Sequence, residues 1–372
     1  MRDALKKAPL AAALLALGAA GYWFASGRPV AGGLALTGGW LLLAAGMMQR
    51  PRLQSFAYPV AILASVTVAL TFPQYFDHVG SFPVKNLIVP LLQLITFGVG
   101  CTMSWRDLAG VLKMPRAVLI GVLCHYTIMP FVGFTIAKVF GFPPEIAAGV
   151  VLVGCMPSGL ASNVIAFIAK ANLALSVTVT AVSTLLAPVM TPLLMNYLGG
   201  QFVPVSFSAM FVDILKLVII PIFLGVFFHQ FFHHKAKWLD VVMPKLSMVG
   251  IAGIIVIITA AGRDNLLHVG PALVAAMFLH MTVGVLLGYW GGRLFGLSRL
   301  NSRTIAIEVG MQNGGLASGI AAQMGLIATV GLAPAVNGPI MNTTFSLLAT
   351  WWGRRAPEGD TLPVGNPLQK VT

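Results

Sequence analysis

A single carboxylate stands inside a long apolar stretch, and a helix-breaking sequence follows it. The segment 304–319 reads TIAIEVGMQNGGLASG and contains Glu308, then Gln312 and Asn313, then two glycines. An ionisable residue at membrane depth is costly and marks an ion or solute pathway, and a broken helix marks a binding site near the midplane. Carboxylate and freed carbonyl oxygens suit a hard cation, whereas the N-terminus of a helix suits an anion. The segment therefore predicts a site for a cation with an anionic solute beside it.

The composition places this carboxylate in a membrane. Of the 372 residues, 58% are hydrophobic and 9% are charged, and the mean hydropathy is +0.89. Soluble domains carry about 25% charged residues. The length accommodates roughly ten to twelve spans of about 20 residues with short loops. We predict an all-α polytopic membrane protein with its chemistry inside the helix bundle or at its mouths.

Two apolar runs precede the main body of the chain. They cover Pro9–Ala25 and Val30–Met48, and they predict a helical hairpin that forms a separate unit over residues 1–54. Because the first residues are basic and a small-residue cluster follows, a cleaved signal peptide is an alternative interpretation.

Ten further spans are predicted, each bounded by proline, glycine or charge. They are Tyr58–Phe72, Leu87–Met103, Ala117–Phe140, Glu145–Ala169, Leu173–Leu198, Phe207–Phe232, Met243–Ala261, Pro271–Phe295, Thr304–Met324 and Ala328–Trp352. The polar, Pro/Gly-rich tail 354–372 is predicted to be disordered.

The net charge of +13 is best explained by topology and not by nucleic-acid binding. Threading the spans back and forth collects most Lys and Arg residues on one side, and cytoplasmic loops are enriched in these residues. We therefore expect both termini in the cytoplasm and an even number of spans. Cys101, Cys124 and Cys155 lie in apolar runs without metal-ligand spacing, so we expect them to be packing residues. The histidine-rich segment 228–235 is interpreted as an interfacial anchor, with a metal or pH sensor as the alternative.

An internal repeat relates the fourth and ninth spans. The string Gly-Leu-Ala-Ser occurs at 159–162 and again at 315–318, each time just after a polar or proline-containing break. Each break belongs to the fourth span of a five-span unit, over 55–199 and 200–353. An odd number of spans inverts the second unit, so the two broken helices are predicted to meet near the midplane and form a binding site.

A bound Na⁺ or a proton would neutralise Glu308 at this depth. Two alternatives remain open from the residues alone. Glu308 could pair with Arg303, and the hydroxyls of Ser162, Ser176 and Thr180 could bond back to their own helices.

These strings resemble the bile acid:sodium symporter (BASS) family, in particular its bacterial members. The resemblance covers about residues 58–352 and is carried by Gly-Cys-Met-Pro-Ser-Gly-Leu-Ala-Ser-Asn-Val, by Asn-Leu-Ala-Leu-Ser-Val-Thr-Val-Thr from Asn172, and by Glu-Val-Gly-Met-Gln-Asn from Glu308. It implies ten helices in two inverted five-helix repeats, arranged as a panel domain and a core domain. The fourth and ninth helices of that fold are unwound and cross each other.

The resemblance also implies site residues. The residues of a first Na⁺ site would be Ser162, Asn163, Ser176, Thr180 and Glu308. Those of a second site would be Glu308, Val309, Met311 and Gln312, with His125 at a position where bacterial relatives carry Gln. The residues facing the substrate would be Asn313, Asn342 and Leu160, the last in place of a hydroxyl residue.

His125 departs from the pattern because an imidazole nitrogen is a poorer ligand for a hard cation than an amide oxygen. Three interpretations follow: the second ion is weak or absent, a proton on His125 replaces it, or His125 is a hydrogen-bonded core histidine.

We predict a Na⁺-coupled symporter of the bacterial inner membrane that carries an organic anion, either bile-acid-like, pantoate-like or a 2-oxo acid. Its partners would be Na⁺, the anion and the lipid bilayer, without nucleic acid or an organic cofactor; a monomer is the simplest expectation. A proton-coupled carrier of the same fold is the nearest alternative. More distant ones are an intramembrane enzyme that uses His125 and Glu308 as acid and base, a passive channel and a structural membrane protein.

Overall fold

The computed structural model describes residues 2–50, 53–102, 113–159, 161–232 and 238–355. Within these ranges the chain is almost entirely helical. Seven helices are long and apolar enough to cross a membrane, which makes the chain a multi-pass membrane protein. The predicted disordered tail lies outside the described residues, apart from its first two positions.

The N-terminal helices α1 (Arg2–Ala25) and α2 (Pro29–Met48) pack against each other along a row of glycines. Large side chains of α1 recur every seven residues and lie over glycines of α2 that recur at the same interval. The pairs are Leu10 with Gly46, Leu17 with Gly39, and Phe24 with Gly32. A Cβ atom at any of these glycines would lie within 3 Å of its partner, so the glycines set the close approach. The other side of α2 packs on α3 (Gln54–Thr71).

A short hairpin follows α3, which the all-helical prediction did not include. Two 3₁₀ turns, Pro73–Phe76 and Val84–Leu87, flank strands β1 (His78–Val79) and β2 (Phe82–Pro83). The strands are antiparallel, with His78 opposite Pro83. The next helix is α4 (Ile88–Thr102).

The remaining helices form the body of the molecule. The first group comprises α5 (Pro115–Phe140), α6 (Pro144–Cys155), α7 (Ser162–Ile168) and α8 (Leu173–Tyr197), which a 3₁₀ turn, Gly199–Gln201, follows. The second group comprises α9 (Phe207–Ile214), α10 (Ile220–Phe232), α11 (Leu239–Ala261), α12 (Arg263–Leu294), α13 (Arg299–Gly310), α14 (Gly314–Gln323) and α15 (Leu332–Arg354).

A π turn, Leu215–Ile219, joins α9 to α10. A π turn displaces backbone groups from the regular helical ladder, and side chains of α4 engage two of its carbonyls. Thr96 Oγ1 donates to the Leu217 carbonyl at 2.9 Å, and Gln93 Nε2 donates to the Lys216 carbonyl at 3.2 Å. These bonds fasten α4 to the widened turn.

Among the ten predicted spans, two begin five or more residues earlier than predicted. Helix α12 begins at Arg263, eight residues before the predicted Pro271, because Gly262 alone makes the turn from α11 and the proline is accommodated within the helix. Helix α13 begins at Arg299, five residues before the predicted Thr304, because the Ser298 hydroxyl caps it by accepting from the Asn301 N–H. A serine N-cap favours helix initiation.

The helices that lead into the predicted breaks lie at the centre of the core. In α6 every residue over 146–155 is buried, and in α13 every residue over 304–310 is buried. A helix that is buried on all sides is held by its neighbours around its whole circumference. The ends of α6 and α13 are therefore rigidly placed, and the functional candidates lie at these two ends.

Candidate functional site

Two non-helical segments, 156–159 after α6 and 311–313 after α13, lie side by side. The Gly159 N–H donates to the Met311 carbonyl at 2.9 Å, and the Asn313 N–H donates to the Pro157 carbonyl at 3.0 Å. In a membrane, backbone groups freed from a helix must find partners within the protein. Here each segment supplies partners for the other.

Local sequence explains why the helices stop at this point. Met156, which precedes a proline, has the extended conformation that this position favours. Gly159 permits the close contact, because a Cβ atom there would lie 2.8 Å from the Gln312 carbonyl oxygen. On the other segment, the Asn313 side chain accepts from the Leu316 N–H at 3.0 Å and starts α14. The C-termini of α6 and α13 and the N-termini of α7 and α14 thus meet in one region.

Glu308 is fully buried near the end of α13, and three hydroxyls point at its carboxylate. Ser176 Oγ of α8 lies 2.5 Å from Oε1. Oε2 accepts from Thr180 Oγ1 of α8 and from Ser158 Oγ, each at 2.7 Å. Ser162 and Asn163 complete a second layer. Ser162 Oγ lies 3.1 Å from Thr180 Oγ1, and Asn163 Oδ1 lies 2.9 Å from Ser176 Oγ.

This cluster contains more oxygen acceptors than protons. Ser176 has one hydroxyl proton but stands within hydrogen-bond distance of two acceptors, Glu308 Oε1 and Asn163 Oδ1. Thr180 Oγ1 likewise stands within hydrogen-bond distance of two acceptors, Glu308 Oε2 and, at 3.5 Å, Asn163 Oδ1, while Ser162 Oγ can be either its donor or its acceptor. A buried carboxylate without a compensating charge is costly. A hard cation prefers oxygen ligands, so this set of oxygen atoms fits Na⁺. A bound Na⁺ would compensate the charge of the carboxylate and would contact the oxygen atoms that lack a hydrogen-bond donor.

The structure thus brings together all five residues of the predicted first ion site. The two alternatives for these residues are wrong. The hydroxyls of Ser176 and Thr180 are directed at Glu308 and not at their own helix. Arg303 does not pair with Glu308; its guanidinium donates to the Trp352 carbonyl at 3.3 Å and lies over the Trp352 ring.

Ser158 is the residue that sequence reasoning missed. Its hydroxyl contacts Glu308 directly, its side chain is fully buried, and its N–H donates to Ser183 Oγ at 3.3 Å. The available signal was its position directly after Pro157, in the predicted break and opposite the segment that contains Gln312.

The residues of the predicted second ion site lie together, but most of their polar atoms already form hydrogen bonds within the protein. Gln312 Nε2 donates to the Val309 carbonyl at 2.8 Å, and the Met311 carbonyl accepts from Gly159. His125 is fully buried on α5 and contacts the Glu308 and Met156 carbonyls. Gln312 Oε1 is buried and has no hydrogen-bond partner among the described residues.

A cavity of about 120 Å³ opens on the other side of the crossing. Asn313, the first two residues of α14 and Asn342 of α15 line it on one side, and apolar side chains of α4 and α11 form the opposite wall. The Asn342 amide donates to the Gly338 carbonyl of its own helix at 2.9 Å. Among the described lining residues none is charged. Leu160, the third predicted substrate residue, lies outside the described residues.

The histidine-rich segment is described only as far as Phe232. His229 Nδ1 lies 2.5 Å from the Cys101 carbonyl, which fastens α10 to the end of α4. The remaining histidines of that segment lie outside the described residues, and the metal or pH sensor stays an untested alternative.

Comparison with known proteins gives the same family as the sequence motifs. The profile described as Sodium Bile acid symporter family matches residues 89–269. An uncharacterized sodium-dependent transporter, YocS of Bacillus subtilis, is 38% identical over 303 residues, which cover 81% of this chain and 92% of that protein. A probable sodium/metabolite cotransporter, chloroplastic BASS1 of Arabidopsis thaliana, is 34% identical over 82% of this chain and 75% of its own length. The human ileal sodium/bile acid cotransporter is 31% identical over 66% of this chain and 71% of its own length. With a relative that is 38% identical over 92% of its own length and the sequence motifs at the crossing, this chain belongs to the sodium bile acid symporter family.

Proposed function

We propose that this protein is a secondary active transporter that moves an organic anion together with Na⁺ by alternating access. The observation that carries the proposal is the buried, proton-deficient oxygen cluster around Glu308 at the crossing of two interrupted helices. Names of relatives in bacteria, plants and animals refer to sodium-dependent transport or sodium cotransport. Within this proposal Na⁺ is cargo, and the cluster is its binding site.

The proposed architecture is a ten-helix unit of two inverted repeats, 55–199 and 200–353. In it, α6 with α7 and α13 with α14 are the fourth and ninth helices, each broken once. Two buried histidines support the repeat: His125 and His280 are 155 positions apart, the same spacing that separates Met156 from Met311. In this proposal the hairpin 1–54 lies outside the unit, and the excess of Lys and Arg on one side supports a topology with both termini in the bacterial cytoplasm.

The anion is proposed to bind in the cavity beside Asn313. Gly314 and Gly315, the first residues of α14, line this region. The Gly314 N–H donates to the Gln312 carbonyl and the Leu316 N–H to Asn313 Oδ1, so the positive end of the helix dipole is what would stabilise negative charge here. Because no described lining residue is charged, the backbone would hold the carboxylate, and the apolar wall of α4 and α11 would hold the hydrocarbon part. An amphipathic monocarboxylate, such as a branched 2-oxo acid or a pantoate-like acid, satisfies both surfaces.

Coupling would arise because one short segment serves both solutes. Na⁺ would draw together Ser162, Thr180 and Glu308, which belong to three different helices, and would fix the end of α13. The next residues of the chain are Gln312 and Asn313, which line the anion cavity. An ion that favours the anion-competent arrangement of this segment raises anion affinity by the same factor by which the anion raises ion affinity.

Uptake into proteoliposomes with separately imposed gradients tests this function. A panel of labelled carboxylates (a bile acid, pantoate and a branched 2-oxo acid) would be offered under an inward Na⁺ gradient, an inward proton gradient, or neither. We expect Na⁺-driven uptake of at least one anion. Uptake that ignores Na⁺ but follows the proton gradient would instead identify the proton-coupled carrier.

A further inference from the structure

His125 bridges the ends of the two helices that stop at the crossing. Its side chain projects from the middle of α5 and is fully buried. Nδ1 lies 2.9 Å from the carbonyl oxygen of Glu308, and Nε2 lies 2.8 Å from the carbonyl oxygen of Met156. The Glu308 carbonyl belongs to the last turn of α13, and Met156 is the residue that directly follows the end of α6.

The C-terminal ends of helices attract positive charge, because their last carbonyls are unsatisfied and the helix dipole is negative there. Two such ends directed at one point make a natural position for a cation. In this chain the imidazole ring fills the space between the two carbonyls. A neutral ring donates to one of them and places its second nitrogen beside the other, whereas an imidazolium donates to both.

The neighbouring carbonyls are engaged as well. Gln312 Nε2 occupies the Val309 carbonyl, and the Gly159 N–H occupies the Met311 carbonyl. Gln312 Oε1 is the one oxygen of this group that the described residues leave without a partner. One amide oxygen cannot coordinate a hard cation that requires several oxygen ligands.

We infer that His125 takes the place of a second cation at the crossing, so that the protein binds one Na⁺ per chain, at the Glu308 cluster. The inference rests on the proposed function for the identity of the ion. It assigns to His125 a positioning role: the side chain joins the ends of α6 and α13 permanently, where a mobile ion would join them only when bound. Replacing the ring by a shorter amide would expose the two carbonyls and add an oxygen ligand.

His280 provides a matched control. It occupies the corresponding position in the second repeat and is 1% exposed. Its Nε2 lies 3.0 Å from the Met129 carbonyl, a helical carbonyl of α5 that is not at a helix end. His280→Gln therefore removes a buried imidazole of equal size without exposing carbonyls at a helix terminus.

The test is equilibrium binding of radioactive Na⁺ to purified protein, without any anion, for wild type, His125→Gln and His280→Gln. We expect one ion per chain and a hyperbolic isotherm in wild type and His280→Gln. His125→Gln should bind two ions per chain, with a sigmoidal isotherm if the two bind cooperatively.

The outcomes separate this inference from the proposed function. Two ions per wild-type chain would overturn the role of His125 and leave Na⁺ coupling intact. A single ion in His125→Gln would also overturn it. If wild type binds no Na⁺, the proposed function itself fails. Should His125→Gln not fold, the wild-type count still decides, because a second ion there is incompatible with an imidazole in its place.

Discussion

Replacing Glu308 by glutamine removes one negative charge from the oxygen cluster while keeping its shape. The amide oxygen of the new side chain accepts a hydroxyl proton as the carboxylate does, and its NH₂ group donates to the oxygens of Ser158 or Thr180, which also accept. The fold should therefore survive. Na⁺ binding should not, because the cluster would keep only neutral oxygens around a buried cation.

The size of the effect follows from the burial of the pair. Removing one partner of a buried, hydrogen-bonded charge pair costs about 2–5 kcal/mol. A mid-range loss of about 3 kcal/mol weakens Na⁺ binding by about 10²-fold, since about 1.4 kcal/mol is a factor of ten. Wild-type protein in Na⁺ at 100 times its Kd gains about 2.7 kcal/mol of stability. The same concentration is then near the Kd of the variant, and the gain falls to about 0.4 kcal/mol.

Thermal unfolding in NaCl and in choline chloride at equal ionic strength measures this difference. The entropy of unfolding grows with chain length, so a gain of 1 kcal/mol raises the Tm of a chain of 372 residues by only about 1 °C. Na⁺ should therefore raise the wild-type Tm by a few degrees. The shift for Glu308→Gln should be about half a degree, and its Tm in choline should equal or exceed that of wild type, because an uncompensated buried charge has been removed. A variant that keeps the full Na⁺-dependent shift would refute the assignment of Glu308 to the ion site.

Three further predictions test other parts of the site. Thr180→Val is nearly isosteric and removes the hydroxyl that faces Glu308 and Ser162. We expect about tenfold weaker Na⁺ binding, corresponding to about 1.4 kcal/mol, measured from the Na⁺ dependence of Tm. Unchanged affinity would contradict a ligand role for Thr180. Gly159→Ala places a Cβ atom 2.8 Å from the Gln312 carbonyl oxygen, so the Tm measured in choline should fall by several degrees. The control Gly314→Ala, whose Cβ would make an ordinary 3.5 Å contact, should leave the Tm nearly unchanged. Equal Tm values for the two variants would contradict the close approach of the two segments. Gly315→Leu fills the anion cavity beside Leu92 and should abolish anion uptake while leaving the Na⁺-dependent Tm shift intact; normal uptake would place the anion elsewhere.

Apart from Ser158, the oxygen cluster around Glu308 was predictable because its members carry their own signals in the sequence. Glu308 is an ionisable residue in a buried helix, and its hydroxyl partners recur on one face of α8, at Ser176 and Thr180. The duplicated Gly-Leu-Ala-Ser string indicated that two distant segments occupy equivalent positions. Recognition of the family then assigned the residues to one site, which periodicity alone does not do.

Other features have no local signal. The contact of Ser158 with Glu308 depends on how closely two segments approach across the crossing, and that distance is set by backbone hydrogen bonds of Gly159 and Asn313. The start of α12 at Arg263 depends on tertiary packing, since its guanidinium donates to the Leu70 carbonyl of α3 at 2.8 Å. The direction of the His125 ring likewise depends on where α6 and α13 end relative to α5.

The positions of the charged and polar groups explain why ion and anion affinities should depend on each other. Glu308 lies in the last turn of α13, four residues before Gln312, so any ion that holds the carboxylate also restrains the end of the helix from which the anion cavity begins. Without the ion, the carboxylate is held by hydroxyls of Ser158 and α8 alone, and one hydroxyl proton is shared between two acceptors. The oxygen atoms of the cluster have fewer favourable contacts without the ion than with it. This difference in free energy can supply a coupling free energy of about 1–3 kcal/mol between the ion and the anion.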